Sequence, residues 1–297
     1  MTDTEGHVFV VHGDLRNLAC DAWLLPCGRM LYVEGYWLKG MDVDRSDLPG
    51  EWTDDDHAQV VDAWPADRPR PVLTDVVSGS RPVDRHVDAV RRFVELSVGL
   101  PRFLTQRELP LLGLPLVGTG HAGSRRRAGE VADKLLPALH DLARRHRVDL
   151  ALVCRDADAY AAAQAARRDL PAARSPVGLG SSLMETAVTL AARAREGQLV
   201  LFIGAGVSQG AGLPGWNELL ARLAGQAALD DPRGELGGLD YLDQAQALHM
   251  AFGESRSMGQ AVREELAGSP CHSLGHALLA ALPAAEAVTT NYDQLFE

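Results

Sequence analysis

The sequence predicts an α/β protein built as two successive blocks. Short apolar strands alternate with segments of helical spacing along most of its 297 residues, the pattern of a largely parallel sheet flanked by helices. Two of those strands run directly into glycine loops, at Gly118–Gly123 and Gly204–Gly215. The segment 169–182, Asp-Leu-Pro-Ala-Ala-Arg-Ser-Pro-Val-Gly-Leu-Gly-Ser-Ser, reads as a linker between the blocks. A chain of this length suits two domains of ~100–200 residues.

The first block opens with a strand, His7–His12, and the turn Gly13-Asp14-Leu15. A second strand, Ala22–Pro26, is apolar throughout, as a strand buried on both faces should be. From Met41 to Pro82 the chain is acidic, proline-bearing and weakly periodic, which predicts loops around short elements. Val87, Val90, Val94 and Val98 give helical spacing across Val83–Gly99. A strand at Leu111–Leu116, the first glycine loop, a helix over Ala128–Arg145, a strand at Asp149–Cys154 and an alanine-rich helix, Ala157–Arg168, complete the block. In the second block a helix, Leu183–Glu196, leads to an apolar, buried strand, Leu199–Ile203, and the second glycine loop. Trp216, Leu219, Leu220 and Leu223 share one face of the next helix. Helical patterns follow at Asp240–Phe252, Met258–Leu266 and His272–Leu282, then a short strand, Ala287–Thr290.

Composition narrows the function classes. The formal net charge is -11, which disfavours nonspecific attraction to a phosphate backbone, so no direct nucleic-acid partner is expected. Cys20, Cys27, Cys154 and Cys271 form no Cys-x-x-Cys pair, arguing for reduced thiols in the cytoplasm and against a zinc ribbon. Met1–Gly6 is polar and acidic, unlike a signal peptide, and no apolar run approaches the ~20 residues of a membrane span. Abundant Ala, Gly, Leu and Arg, with lysine only at Lys39 and Lys134, fits the codon bias of a GC-rich bacterium. His272 and His276 stand four apart beside Cys271, a spacing that can bind a metal. No carboxylate shares their face and leucines interleave, so a packing or capping role is expected, and no metal.

The loop after Ile203 carries the strongest signal. Glycine there lets the backbone turn tightly and approach a pyrophosphate, and the helix that follows offers N–H groups and a positive dipole end. A Gly-x-Gly alone equally fits a plain tight turn, so the neighbouring residues must choose. A P-loop needs a lysine, and none follows Lys134. A dehydrogenase fingerprint needs a third glycine where Gln209 stands. The run Gly204-Ala-Gly-Val-Ser208 with Ala211-Gly-Leu-Pro-Gly-Trp216 resembles the first NAD-binding motif of the sirtuin superfamily. Gly215-Trp216-Asn217, in place of the usual Asp-Phe-Arg, is similar to bacterial sirtuin-like defence proteins rather than deacylases. The resemblance implies NAD contacts at Gly204, Ala205, Gly206, Ser208, Gly212 and Pro214.

About 85 residues later, Ala287-Val-Thr-Thr-Asn-Tyr-Asp293 delivers polar side chains at a strand's carboxyl end, where open α/β sheets bind ligands. Asn and Asp there can also serve as helix caps. The segment resembles the second sirtuin motif in its Thr-Thr-Asn-Tyr-Asp form. By that resemblance Thr290 contacts NAD, Asn291 places the attacking water beside the nicotinamide ribose, and Asp293 holds the carboxamide. The family's catalytic histidine normally lies downstream of this motif. The expectation is therefore an incomplete Rossmann-like sirtuin domain that continues past Glu297, with residues 1–297 unable to hydrolyse NAD alone.

In the first block, Val8-Phe-Val-Val-His-Gly-Asp-Leu15 with Cys20-Asp-Ala-Trp-Leu-Leu25, and Leu116-Val-Gly-Thr-Gly-His-Ala-Gly123, resemble the macro domain, a binder of ADP-ribose. That resemblance implies an α/β/α domain in which Asp14 accepts from the adenine amine and Gly118, Gly120 and Gly123 cradle phosphate. Pro26-Cys-Gly-Arg29 stands where the family has Asn-Ala-Ala-Asn, a departure that bears on hydrolysis of ADP-ribose adducts. The combined expectation is a macro-like domain over 1–172, a linker over 173–182 and a sirtuin-like domain over 183–297. Together they imply an NAD hydrolase of bacterial anti-phage defence, gated by an ADP-ribose-like ligand and assembled as a homo-oligomer. An NAD-dependent deacylase or ADP-ribosyltransferase, and a non-catalytic nucleotide-binding module, are the alternatives.

Overall fold

A computed structural model describes residues 5–39, 43–53, 57–65, 68–76, 82–104, 106–118, 127–170, 180–229, 236–252, 257–267, 269 and 271–297. The first block is a mixed α/β unit. Its strands are β1 (Val8–His12), β2 (Ala22–Cys27), β3 (Ala58–Val60), β4 (Arg70–Asp75), β5 (Leu111–Pro115) and β6 (Asp149–Cys154), in the sheet order β1-β6-β5-β2-β4-β3. All pairs are parallel except β3 with β4. Parallel neighbours need crossovers. The helices α2 (Val83–Ser97) and α3 (Ala128–His146) supply them, and α4 (Ala157–Asp169) follows β6.

Both sheet faces are covered. On one, Phe93 of α2 and Leu135, Leu136 and Leu139 of α3 pack with Val10, Leu24, Leu112 and Leu150. On the other, Val11, Leu25, Leu111 and Ala151 pack with Leu18, Cys20, Trp23 and Leu38, the last on the one-turn α1 (Gly35–Leu38). The buried face of α2 carries Val90, Phe93 and Val94, whereas Val98 of the predicted valine stripe is exposed.

Two strands, β3 and β4, lie inside the stretch predicted as loops around short elements. β4 pairs with β2 along its whole length and is almost fully buried. Pro71 in its second position hides it, since proline normally marks the start or edge of a strand. Pairing with β2 overrides that local signal.

Asp21, buried at the head of β2, accepts from the backbone N–H groups of Phe103, Leu104 and Leu111 at 2.8 Å each and from Arg102 Nε at 3.1 Å. It ties the connection between α2 and β5 to the sheet. Asp21→Ala would orphan three backbone donors, each worth ~1–3 kcal/mol when left buried. The expected loss is about 3–5 kcal/mol, read from the urea midpoint at constant slope. An unchanged midpoint would refute the role.

The second block begins with α5 (Ser181–Arg195) and β7 (Val200–Ile203), followed by the one-turn α6 (Gly206–Gln209) and α7 (Trp216–Gln226). Then come α8 (Tyr241–Phe252), α9 (Met258–Leu266), α10 (Leu274–Ala280) and β8 (Glu286–Thr289). Leu219, Leu220 and Leu223 of α7 meet Leu248 and Phe252 of α8 and Ala261 of α9 in a small core. Strands β7 and β8 pair in parallel as a separate two-stranded sheet. The sequence predicts β7 as buried; here only Ile203 is, while Phe202 is 80 % exposed. Among the described residues β7 has one strand neighbour, so its apolar side chains lack the covering layer that a parallel strand ordinarily has. No helix of the described residues is long and apolar enough to cross a membrane.

Candidate functional site

Parallel pairing of β7 with β8 puts Ile203 opposite Thr289, so the two strands end at the same edge. Both sequence motifs leave from that edge. Thr290 N–H donates to the Ile203 carbonyl at 3.0 Å, continuing the ladder by one step. Ser208, buried on α6, then donates its hydroxyl to Asp293 Oδ2 at 2.9 Å and accepts from Asn291 Nδ2 at 3.1 Å. A cavity of about 240 Å³ opens beside this cluster. Ala205, Ser208 and Pro214 line it from the first motif; Thr290, Asn291 and Asp293 line it from the second.

The glycines divide by physical role. Gly212 has φ +85°, a left-handed conformation that makes glycine a backbone requirement of the turn. At Gly204 and Gly206 φ is ordinary and an added Cβ would meet nothing within 4 Å. Neither packing nor backbone demands glycine at those two positions; the space beside them is open. The helix after Gly206 is a single turn interrupted at Gly210, so the dipole expected from the sequence is that of one turn only.

Two cavity-lining residues carry unsatisfied buried atoms. Trp216 Nε1, a donor, and Asn291 Oδ1, an acceptor, have no hydrogen-bond partner among the described residues. Such groups are rare in folded proteins and call for an explanation, commonly a water or ligand. Sequence reasoning placed Trp216 on a packed helix face and at the end of the first motif, but not among the NAD contacts; it lines the cavity.

Sequence reasoning also missed Ser273 and gave His276 no part in the site. Ser273 caps α10, its hydroxyl accepting from His276 N at 3.2 Å and donating to the Val207 carbonyl at 2.9 Å. The buried His276 accepts at Nδ1 from Ser273 N at 3.1 Å, and its Nε2 lies 3.4 Å from Ser208 Oγ. The expected capping role is therefore present, but the same ring also touches the cluster. The only forewarning in the sequence is a serine three residues before a histidine, the spacing of a capping box. Among the described residues no group of three or more His, Cys, Asp or Glu side chains is placed to hold a metal.

Burial pushes His276 below its ordinary value of 6.5, against the pull of Asp293 and with the help of His272. Between the lowered folded value and 6.5 the unfolded chain holds the extra proton, so this stability is full above about pH 6.5 and drains as pH falls. His140, also lowered by burial and by Arg167, acts in the same direction. Melting curves at pH 7.5 and about 5.5 should therefore show a smaller acid loss for His276→Asn than for the wild type. Equal losses would show that His276 does not titrate with folding.

In the first block, Asp14 and Gly118 follow β1 and β5, whose carboxyl ends share one edge of the sheet on either side of β6. Gly118 has φ +75°, and a Cβ there would come within 2.8 Å of the His86 ring, so only glycine fits. Gly120 and Gly123 lie outside the described residues. Asp14 is held by Arg16: Oδ2 lies 2.6 Å from its guanidinium, and Oδ1 accepts from its backbone N–H at 3.0 Å. Burial opposes the charge on Asp14, but hydrogen bonds from Arg16 and Tyr36 outweigh it and hold the carboxyl below its usual range. Arg16 and Arg155 stack on the Tyr36 ring at 4.1 and 4.4 Å.

The two blocks touch. Leu18 and His272 form a parallel bridge, with Ala19 N donating to His272 O at 2.9 Å and His272 N donating to Asn17 O at 2.8 Å. Ala211, Cys271, Leu274 and Ala277 complete the core on the second face of the large sheet. No family model matches the chain, and a search of curated proteins finds no significant match.

Proposed function

We propose that the cavity between the two motifs binds NAD and cleaves its nicotinamide–ribose bond, as in bacterial sirtuin-like NAD hydrolases. The observation carrying this reading is the meeting of Ser208 with Asn291 and Asp293 at one cavity, from motifs about 85 residues apart. At about 240 Å³ the cavity is smaller than the ~300–1,000 Å³ of most small-molecule sites, which suits one end of a dinucleotide. In this reading the nicotinamide riboside end enters it, and the pyrophosphate lies over the open space at Gly204 and Gly206. A ligand offering both a donor and an acceptor would satisfy Asn291 Oδ1 and Trp216 Nε1. Water attacks the ribose carbon, nicotinamide leaves with the bonding electrons, and nearby amide and carboxylate groups stabilise the positive charge that builds on the ribose.

The test is nicotinamide release from NAD by the purified full-length protein. Release as free ADP-ribose supports a hydrolase; transfer to an acyl-lysine peptide or protein acceptor favours the deacylase or transferase reading. Binding without release leaves a nucleotide-binding module.

The first block, in the same proposal, is a macro-like sensor for an ADP-ribose-like ligand, in a cytoplasmic defence protein. The glycine-requiring turn at Gly118 on the carboxyl edge of the sheet supports it. The bridge from Asn17 and Ala19 to His272 supports gating, because it joins the turn after Asp14 to the residue preceding Ser273. Calorimetry with ADP-ribose should detect binding that Gly120→Glu abolishes, since a carboxylate would take the anion's place. No heat at millimolar nucleotide would leave this block as a scaffold.

A further inference from the structure

We propose that Tyr292 is a specificity-determining residue: together with Asp293 it makes the cavity select a cationic aromatic ring over the neutral form of that ring. The proposal rests on the NAD reading above and deepens it, since oxidised NAD carries a pyridinium ring and the reduced dinucleotide a neutral one. The first observation is the charge of the cavity. None of the described residues lining it is Lys, Arg or His, and Asp293 is the only carboxylate among them. Both Asp293 oxygens accept hydrogen bonds, Oδ2 from the Ser208 hydroxyl at 2.9 Å and Oδ1 from Leu295 N–H at 3.1 Å. Those donors are neutral, so they fix the carboxylate in place and leave its charge standing. No salt bridge among the described residues includes Asp293. His276, 3.4 Å from the Ser208 hydroxyl, is pushed below its ordinary value of 6.5 by burial and supplies no compensating charge at neutral pH.

A half-buried carboxylate without a counter-ion is best completed by a cation. The aromatic residues of the cavity indicate which kind. Trp216 lines it, edge-on to Tyr241 at 6.2 Å. Tyr292 also lines it while remaining 72 % exposed, which puts this side chain at the mouth. An aromatic face carries negative potential and attracts a cation within ~6 Å, most strongly where water is excluded. A planar pyridinium gains from the ring face and from the carboxylate together. The reduced, neutral ring has nearly the same size and loses both attractions. Tyr292 belongs to none of the hydrophobic cores, so replacing it tests recognition with little disturbance of the fold.

The test compares two pairs of probes on the full-length protein by calorimetry. Nicotinamide methylated on its ring nitrogen, a pyridinium cation, is expected to bind at least about tenfold more tightly than neutral nicotinamide. Oxidised NAD should exceed the reduced dinucleotide by a similar factor. Tyr292→Leu keeps an apolar side chain and removes the ring face. It should weaken binding of the methylated cation about fivefold and of nicotinamide by less than about twofold, with the melting temperature near wild type. Tyr292→Phe keeps the face and should stay within about twofold of wild type for both. Equal affinity of the wild type for the two rings, or no binding of the cation at millimolar concentration, overturns the proposal. Equal losses of both rings in Tyr292→Leu overturn it too, leaving Tyr292 a steric wall. If the cation is preferred but NAD does not bind, the NAD reading falls and the selectivity stands. If oxidised and reduced dinucleotides bind equally, the selectivity falls and the NAD reading stands.

Discussion

Asn291→Ala in the full-length protein is expected to lower NAD cleavage by ~10²–10³-fold while leaving the fold and NAD affinity largely intact, the usual cost of losing one positioned polar group at a transition state. The side chain stands just beyond β8, where Asn291 N–H donates to Thr289 Oγ1 at 3.1 Å, so the backbone is anchored without the amide. Its Nδ2 makes one bond, to a hydroxyl that His276 still faces after truncation. The loss therefore falls on the unpartnered Oδ1 and whatever it would orient. Affinity should rest on the pyrophosphate and adenosine, away from this group. The measurements are steady-state nicotinamide release, NAD binding by calorimetry and a melting curve. Wild-type turnover in a folded variant would make Asn291 a strand-end cap and nothing more.

Gly206→Glu should do the opposite, abolishing NAD binding in a folded protein. A Cβ at this position meets nothing within 4 Å and φ is ordinary, so the substitution costs the fold little beyond solvating a carboxylate. The open space it enters is where the pyrophosphate is proposed to lie. Excluded volume and charge repulsion together should weaken binding by more than about a hundredfold, ~3 kcal/mol or more. Titration of NAD into wild type and variant reads this directly, with Gly206→Ala as a mild control. Equal affinity in Gly206→Glu would put the pyrophosphate elsewhere. The two variants thus separate chemistry from binding at one site.

Much of the architecture was legible because it is written in local patterns. Ala22–Cys27 and Asp149–Cys154 are apolar runs, and both are buried strands. The stripe of Leu219, Leu220 and Leu223 is the packed face of α7. β4 was not legible, since Pro71 and its acidic, proline-bearing surroundings carry the local signature of loop, and its strand state comes from pairing with β2. The exposure of β7 was misjudged for the converse reason. An apolar run reports what a strand could bury, whereas burial depends on which elements come to lie against it.

What the sequence by itself determined is the chemistry available at each strand end: Gly204, Gly206 and Ser208 after one strand, Thr290, Asn291 and Asp293 after another. Those identities depend only on neighbours along the chain. The tertiary structure alone decided that the two ends meet, because the parallel register of Ile203 with Thr289 joins segments 86 residues apart in sequence. It also decided that His276 faces Ser208, and that Cys271, Leu274 and Ala277 complete the core of the other block. Hydrogen-bond polarity and shared burial are properties of distance in space, and no periodicity along the chain encodes them.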